Sequence, residues 1–494
     1  MADGGRRAVG GGSSSIPTSQ QEVPFSLLRQ FAGPGFMVAI GYLDPGNWST
    51  DLAAGSEFRY DLLFVIILSN IIAVMLQYLC IKLGLVTDRD LAQASRKFSN
   101  PRLNLVLYVL CELAIIACDL AEVIGTAIAL NLIFGIPVTW GILLTGLDVL
   151  AILLAWDKKH FKVFELGTLV VVCLVSVCFI VLLVKADPDW IAVAWGFVPD
   201  LSRVFTKSGS LYVAMGILGA TVMPHNLYLH SHIAKFRSLV DRIPASPVRT
   251  SFSAAVQPHF VDTIESGRGE YADPSSGADD SFSASASEPL ITKMFSQHDM
   301  TLLEKSIFYS HIDTIVALTL ALGVNSAILI VSAALFYGGG SVVADLFDAY
   351  ELISGTLGPI AAFLFAFALL LSGQSSTVTG TMAGQIVMDG FLGTSFRVSP
   401  WIRRLFTRSL AIVPAMLYAV LAPDHKNVNS LLNFSSREIM TLKYVDENSG
   451  EVKEKCFANS LLVKIFAYLV AFVLTVLNLI LVYQLIVEES SVTL

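Results

Sequence analysis

Long runs of apolar residues, separated by short polar stretches, dominate the pattern of this chain. A helix needs roughly 20 predominantly apolar residues to cross the hydrocarbon core of a bilayer. By that measure the sequence predicts about ten membrane spans, all of them helical. The predicted spans are Ala32–Ala54, Leu62–Leu85, Leu103–Leu132, Val138–Ala155, Phe164–Val184, Leu211–Ala234, Ile312–Tyr337, Ile353–Leu371 (with a continuation past Gln385), Ser409–Ala422 and Leu461–Ile486.

Two of these runs carry a polar interruption where the middle of a membrane helix would lie. Asp44-Pro45-Gly46-Asn47 divides the first run, and Met223-Pro224-His225-Asn226 divides the run Leu211–Ala234. Backbone can leave the helix at membrane depth only where it is buried in protein or lines a polar cavity. Two helices interrupted at corresponding places in two halves of a chain are typical of a transporter's binding site.

The composition agrees with a polytopic membrane protein and excludes a soluble one. Of the 494 residues, 54% are hydrophobic and only 15% are charged, and the mean hydropathy is +0.67. We therefore expect an all-α fold that has the lipid bilayer as a partner. The formal charge is −8, and the basic residues are spread over short loops, so nucleic acid is not an expected partner. We expect neither an enzyme nor a resident cofactor.

Polar stretches divide the chain into six regions. Two of the polar stretches, 1–24 and 237–305, are rich in small and polar residues such as Ser and Gly and are therefore predicted to be disordered. The regions are a disordered cytoplasmic amino terminus (1–24), spans one to six (25–236), a disordered cytoplasmic loop that is either a passive linker or a regulatory element (237–305), spans seven to nine with the remnant of a tenth (306–436), a polar loop (437–460), and the last span with a short tail (461–494).

The distribution of Lys and Arg predicts that the amino terminus lies in the cytoplasm. With that orientation the inside loops hold most of the basic residues, as the positive-inside rule requires. These inside residues are Arg89, Arg96, Lys97, Arg102, Lys158, Lys159, Lys162, Arg397, Arg403 and Arg404.

This rule fails after the ninth predicted span. Counting spans puts the chain outside from Pro423 to about Asn459, yet Arg437, Lys443, Lys453 and Lys455 lie there. The positive-inside rule therefore predicts one more membrane crossing between about Val428 and Arg437, where the sequence has too few residues to form a span.

The residues at the two interruptions can bind a cation. The carboxylate of Asp44, the amide of Asn47 and a carbonyl freed near the break, such as that of Gly41, are hard oxygen ligands. At the second interruption, Pro224 removes a hydrogen bond and exposes the carbonyl of Ala220. The thioether of Met223 beside these oxygens favours Mn²⁺ or Fe²⁺ over Mg²⁺ or Ca²⁺.

Other ionisable residues in the apolar runs are candidates for proton movement. Glu112, Asp119 and Glu122 share one face of the third span, where they form either a proton route or a structural ion-pair network. Their expected cations lie near the start of the ninth span, at Arg403, Arg404 and Arg408. His225 is either a proton relay or a structural residue. His230 and His232 are expected to be structural, and the stretch Gly373–Gln385 is expected to serve close helix packing.

Three motifs together resemble the Nramp family of proton-coupled divalent-metal transporters. They are Asp44–Asn47, the stretch Met223–Ser231 and the stretch Gly373–Gln385. The resemblance implies a LeuT-type inverted repeat with two discontinuous helices. It implies metal ligation by Asp44, Asn47, Met223 and the carbonyl of Ala220, with Gly41 contributing in some states. It links His225, Glu112, Asp119 and Glu122 to proton movement, with Arg408 as their partner.

The chain departs from the family pattern in one region. Leu431–Ser435 resembles the beginning of the family's tenth span, and Ser436-Arg437-Glu438 resembles the loop after it. About twenty residues between them are absent, roughly the length of one span. This comparison agrees with the charge argument, which did not use the family.

The leading hypothesis is a transporter that moves Mn²⁺ or Fe²⁺ toward the cytosol with protons, in the plasma membrane or an endosomal or vacuolar membrane. One alternative is a transport-defective or dominant-negative variant that lacks a span. Others are a Mg²⁺-type transporter or a metal-sensing receptor on the same scaffold. The sequence does not indicate an oligomeric state.

Overall fold

The computed structural model describes residues 33–154, 161–207, 209–239, 295–338, 343, 345–393, 441–445 and 452–456, together with residues 465, 469 and 476. These residues form helices and three short strands. The helices are α1 (Pro34–Gly41), α2 (Pro45–Phe58), α3 (Leu63–Thr87), α4 (Leu91–Phe98), α5 (Pro101–Phe134), α6 (Val138–Leu154), α7 (Phe161–Ala186), α8 (Trp190–Gly196), α9 (Leu201–Thr206), α10 (Ser210–Thr221), α11 (Pro224–Lys235), α12 (Gln297–Phe336), α13 (Leu346–Leu357) and α14 (Pro359–Leu392). The strands are β1 (Phe295–Ser296), β2 (Thr441–Val445) and β3 (Val452–Cys456).

Both predicted interruptions are real breaks between helices. The first separates α1 from α2 at residues 42–44, and the second separates α10 from α11 at residues 222–223. Each second half begins with a proline, Pro45 or Pro224, which has no N–H to donate and therefore starts a helix more easily than it continues one.

Long apolar helices surround these breaks. Five segments in the described part of the chain are long and apolar enough to cross a membrane, lying in α3, α5, α7, α12 and α14. Helix α12 packs along α1, α2, α3 and α7, whereas α14 packs along α5 and α7. The two broken helices therefore lie inside a bundle, which satisfies the requirement that non-helical backbone at membrane depth be enclosed by protein.

The structure corrects two predicted boundaries among these helices. The run Ile353–Leu371 is not one span, because α13 ends at Leu357 and α14 begins at Pro359, after Gly358 with φ of +89°. Helix α12 begins at Gln297, so the end of the loop predicted at 237–305 is helical. Its first turns escaped detection because they are polar overall, although Met300 and Leu303 are buried.

A small sheet lies at the end of the molecule where α12 begins. Strand β1 directly precedes α12 and pairs in parallel with β2, which forms an antiparallel pair with β3. Part of the polar loop predicted at 437–460 is therefore a hairpin. The carboxyl end of α14 lies toward this end of the molecule too. Gly390 packs on α4, Asp90 before α4 pairs with Lys235 of α11, and the N–H of Leu239 after α11 donates to Ser306 of α12.

The remaining predicted spans fall largely outside the described residues. This holds for Ser409–Ala422 and for all but three residues of Leu461–Ile486. The predicted partners of the α5 acids, Arg403, Arg404 and Arg408, lie outside the described residues as well.

Candidate metal centre

The first break is shaped by the carboxylate of Asp44. Asp44 precedes α2 as its N-cap, and its Oδ1 accepts a hydrogen bond of 3.0 Å from the backbone N–H of Asn47. The side-chain amide of Asn47 donates to the same oxygen. Asp44 and Asn47 are 2% and 1% exposed, so a carboxylate and an amide are held together in a buried position.

Asn47 connects the first break to the second. Its Nδ2 donates a hydrogen bond of 3.0 Å to the carbonyl oxygen of Ala220, near the end of α10. Its Oδ1 accepts a hydrogen bond of 3.4 Å from the hydroxyl of Thr221. The two interruptions, which are more than 170 residues apart in sequence, therefore meet in the fold.

Asn226 makes a second connection between the breaks. Its amide nitrogen lies 3.6 Å from Sδ of Met223, to which it donates. The same side chain lies against Gly41 at the end of α1, where an added Cβ would come within 2.3 Å of the Asn226 nitrogen. Gly41 is thus required for this close approach, and Met223 is held at the edge of the first break.

The five predicted ligand positions are therefore grouped by these contacts. Asp44, Asn47 and Ala220 are linked by hydrogen bonds, while Gly41 and Met223 both contact Asn226. A carboxylate, an amide, backbone carbonyls and a thioether form a mixed set of hard and soft donors. Such a set suits a divalent transition metal better than Mg²⁺ or Ca²⁺.

Neighbouring helices hold the unwound backbone of the first break. The carbonyl of Tyr42 accepts a hydrogen bond of 3.0 Å from Asn325 of α12. The carbonyl of Leu43 accepts one of 2.8 Å from the indole of Trp48 and another from Ser372 of α14. Side chains thus replace the helical hydrogen bonds that the break removes.

The three predicted acids of α5 are buried. Glu112, Asp119 and Glu122 lie on the helix that packs against α14. A Cβ on Gly380 of α14 would lie 3.1 Å from Oε2 of Glu122, and one on Gly373 would lie 2.4 Å from the hydroxyl of Thr126. The stretch Gly373–Gln385 therefore does pack closely, against the acidic face of α5.

The three histidines of α11 have different surroundings. His225 is 1% exposed, and neither ring nitrogen has a hydrogen-bond partner among the described residues. His230 lies 2.8 Å from Gln77, which in turn donates to the hydroxyl of Tyr42. His232 lies 3.0 Å from Asp90. His230 and His232 thus join structural hydrogen bonds, whereas His225 is left available beside the second break.

A polar contact at the start of α1 was missed from the sequence. Asp313 of α12 accepts hydrogen bonds from the N–H groups of Gly33 (3.2 Å) and Gly35 (2.7 Å). Beside them, Arg237 forms a buried ion pair with Glu165 of α7. We call these five residues the amino-terminal latch. An acid inside the apolar run Ile312–Tyr337 was the available signal, since intramembrane acids are functional candidates.

Asp90 joins the end of α11 to α4. It caps α4, with Gln93 completing a capping box, and its other oxygen contacts His232 and Lys235. Burial raises the pKa of Asp90, but the hydrogen bond with His232 and the charge of Lys235 outweigh burial. The pKa therefore lies below its ordinary value.

Known proteins of one family are similar to this chain along most of its length. The family model described as natural resistance-associated macrophage protein-like, Nramp, matches residues 35–484. A divalent metal cation transporter MntH of Listeria monocytogenes is 42% identical over 479 residues, covering 95% of this chain and 93% of the relative. MntH of a Nostoc species is 42% identical over 457 residues, covering 91% and 89%.

A solved structure extends the similarity to the fold. A manganese transporter variant from Eremococcus coleocola superposes with a TM-score of 0.70 at 29% identity, covering 94% of this chain and 89% of that one. The expected fold class, an all-α polytopic protein of the LeuT type with two discontinuous helices, is confirmed. The short sheet is an addition that the sequence pattern did not predict.

Proposed function

The chain belongs to the Nramp family, and from this premise we propose that it moves Mn²⁺ or Fe²⁺ toward the cytosol together with protons. The observation that carries the proposal is the meeting of the two helix breaks through Asn47 and Ala220. A carboxylate, an amide and a carbonyl are hydrogen-bonded together there, and Asn226 connects the thioether of Met223 to Gly41 at the first break. The names of the MntH relatives and of the manganese transporter support a divalent transition metal as the transported ion.

Each donor has a distinct role in this proposal. Asp44 supplies the negative charge that replaces part of the hydration shell of the ion, and Asn47 with the carbonyls of Ala220 and Gly41 supplies neutral oxygens. Met223 supplies a soft donor that disfavours Mg²⁺ and Ca²⁺. Since α1 ends and α11 begins at the site, small rotations of these half-helices expose it to one side or the other.

Proton movement is assigned to residues next to the site. His225 lies two residues after Met223 and has ring nitrogens free within the described part of the chain. Glu112, Asp119 and Glu122 line the adjacent α5, which approaches the first break where a Cβ on Gly125 would meet Pro45. A proton displaced from the metal site therefore has titratable groups nearby on which to move.

The proposed orientation puts the amino terminus in the cytoplasm. The start of α1 contacts Asp313 within α12 and Glu165 near the start of α7, and Arg237, which follows α11, pairs with the same Glu165. This end of the molecule adjoins the basic loops, and the positive-inside rule assigns such loops to the cytoplasm. The hairpin β2–β3 lies at the same end. Its lysines favour this cytoplasmic side, whereas the count of predicted spans had placed the segment outside.

Uptake by reconstituted vesicles tests the function. Asp44→Asn keeps an N-cap acceptor for α2 but removes the charge. Truncating one partner of a buried charged contact costs about 2–5 kcal/mol, so we expect Mn²⁺ uptake driven by an inward proton gradient to fall at least roughly thirty-fold. The matched control is Asp189→Asn, which changes an exposed N-cap of α8 and should transport normally. Wild-type uptake by Asp44→Asn would refute the proposal.

A second candidate, a transport-defective variant, is favoured by where the described segments end. Gly393 after α14 and Thr441 at the start of β2 lie at the same end of the molecule. A chain that crosses and returns needs two apolar segments of roughly 20 residues. Between these points the sequence offers a single apolar window, Ser409–Ala422, and the short run Leu431–Ser435.

Restoring the missing length separates the two candidates. Inserting twenty-odd apolar residues between Ser435 and Ser436, about one span, should raise uptake strongly if this chain is defective. Equal uptake with and without the insertion would show that the chain transports as it stands.

A further inference from the structure

A buried acid on α2 takes no part in the contacts described above. Asp51 follows Asp44 by about two helical turns, so the two carboxylates lie on the same side of α2. Asp51 is 1% exposed, and its Oδ2 has no hydrogen-bond partner among the described residues. An ionised carboxylate that is buried without a partner is costly, so its position requires an explanation.

Asp51 lies between the metal centre and a tight helix contact. Toward the break, Asn47 reaches the carbonyl of Ala220. In the other direction, Gly55 packs so closely on α12 that a Cβ would lie 2.3 Å from the carbonyl oxygen of Leu329. Ser332 of α12 reinforces this contact by donating to the carbonyl of Leu52 at 2.6 Å. The half of α2 beyond Asp51 is therefore sealed against α12 in this conformation.

The position of Asp51 suits an ion on its way to Asp44. An ion that approaches along this face of α2, once the contact at Gly55 has opened, meets the carboxylate of Asp51 first. In the part of the chain that the structure describes, Asp51 forms no ion pair with Lys, Arg or His. No described basic residue therefore competes with a cation for this carboxyl group.

We propose that Asp51 is a second binding position for the divalent cation, occupied in transit between the outer end of α2 and Asp44. The proposal rests on the proposed function, because it concerns the same ion and the same route. One carboxylate alone gives a weak site with little selectivity. Weak binding is what a transit position needs, since the ion must be able both to enter and to leave.

The concentration dependence of uptake tests this role. The initial rate of Mn²⁺ uptake is measured in vesicles containing the full chain or its Asp51→Asn or Asp51→Glu variant. We expect Asp51→Asn to raise KM roughly five- to tenfold and to leave the maximal rate within about twofold. Asp51→Glu, which keeps the charge, should stay close to wild type. The matched control is Glu57→Gln, which neutralises a less buried acid on the same helix.

An unchanged KM in Asp51→Asn, or a loss of maximal rate alone, would overturn the proposal, because either result indicates a structural role. If wild-type vesicles take up no Mn²⁺, the proposed function fails instead. In that case, Mn²⁺ binding to the purified protein, measured by electron paramagnetic resonance, still tests whether Asp51 binds the ion. Residual weak binding in Asp44→Ala that disappears in Asp44→Ala/Asp51→Asn supports the proposal, and equal binding in the two contradicts it.

Discussion

The two helix breaks differ in how they are held. The first is capped by its own acid, Asp44, and its carbonyls are bonded to Asn325, Trp48 and Ser372. The second contains Met223, the N-cap residue of α11, whose side chain forms no capping hydrogen bond. It is connected to the first break through Asn47, which donates to the Ala220 carbonyl, and through Asn226, which contacts both Met223 and Gly41.

Because of this difference, we expect the two breaks to have different roles in metal binding. In the proposed site the first break supplies the charge of Asp44, and α12 and α14 hold its backbone in place. The second break adds the soft donor and depends on the first for its position. Affinity should therefore be most sensitive to changes at the first break, whereas the choice between metals should be most sensitive to changes at the second.

The largest effect is expected where the two breaks touch. Gly41→Ala places a methyl group within 2.3 Å of the Asn226 amide, which must move away and release Met223. Overpacking of this kind costs about 1–3 kcal/mol; if this cost falls on the metal-binding conformation, Mn²⁺ affinity should fall roughly five- to 150-fold. Calorimetric titration of the purified protein measures it.

The control for this change is Gly323→Ala, since an added Cβ there meets nothing within 4 Å. Its affinity should match that of the wild type. Unchanged affinity in Gly41→Ala would show that the contact between the breaks does not shape the site.

A smaller effect, on selectivity, is expected from Met223→Ala. Removing the thioether leaves only oxygen ligands, which accept Mg²⁺ and Ca²⁺ more readily. The ratio of Mn²⁺ to Ca²⁺ uptake should fall about tenfold, equivalent to about 1.4 kcal/mol. Met215→Ala, a buried methionine within α10, is the matched control. If both variants keep the wild-type ratio, Met223 does not determine the choice of metal.

The last effect is on folding stability and concerns the far end of α11. Asp90→Asn keeps the cap of α4 but loses the charge facing Lys235 and His232, at a cost of about 1–3 kcal/mol. Because the pKa of Asp90 is lowered by folding, this stabilisation is present above the ordinary Asp pKa and is lost as the pH falls through the folded value.

Thermal unfolding of wild type and Asp90→Asn between pH 7 and pH 3 measures this contribution. The gap in unfolding temperature should be widest near neutral pH and should close in acid. A gap that widens in acid would contradict the assignment.

The breaks themselves could be predicted from the sequence. An acid, a proline, a glycine and an amide in an otherwise apolar run have few explanations in a membrane protein. The split between α13 and α14 was missed, although Gly358-Pro359 is a typical helix boundary.

The amino-terminal latch could not be predicted in the same way. Its hydrogen bonds join Gly33 and Gly35 to Asp313, about 280 residues away in sequence. One sequence shows that Asp313 is an acid at membrane depth, but it does not show which backbone the acid bonds. The same holds for Asn226, whose role depends on how α1 and α11 pack.

The central claim is that the two breaks bind one ion between them. Anomalous X-ray diffraction from crystals grown with Mn²⁺ tests it directly. We predict a strong peak within about 2.6 Å of an Asp44 carboxylate oxygen, with the sulfur of Met223 adjacent to the same ion. A peak bound by Asp44 while Met223 faces away, or a main peak elsewhere in the molecule, would contradict the account.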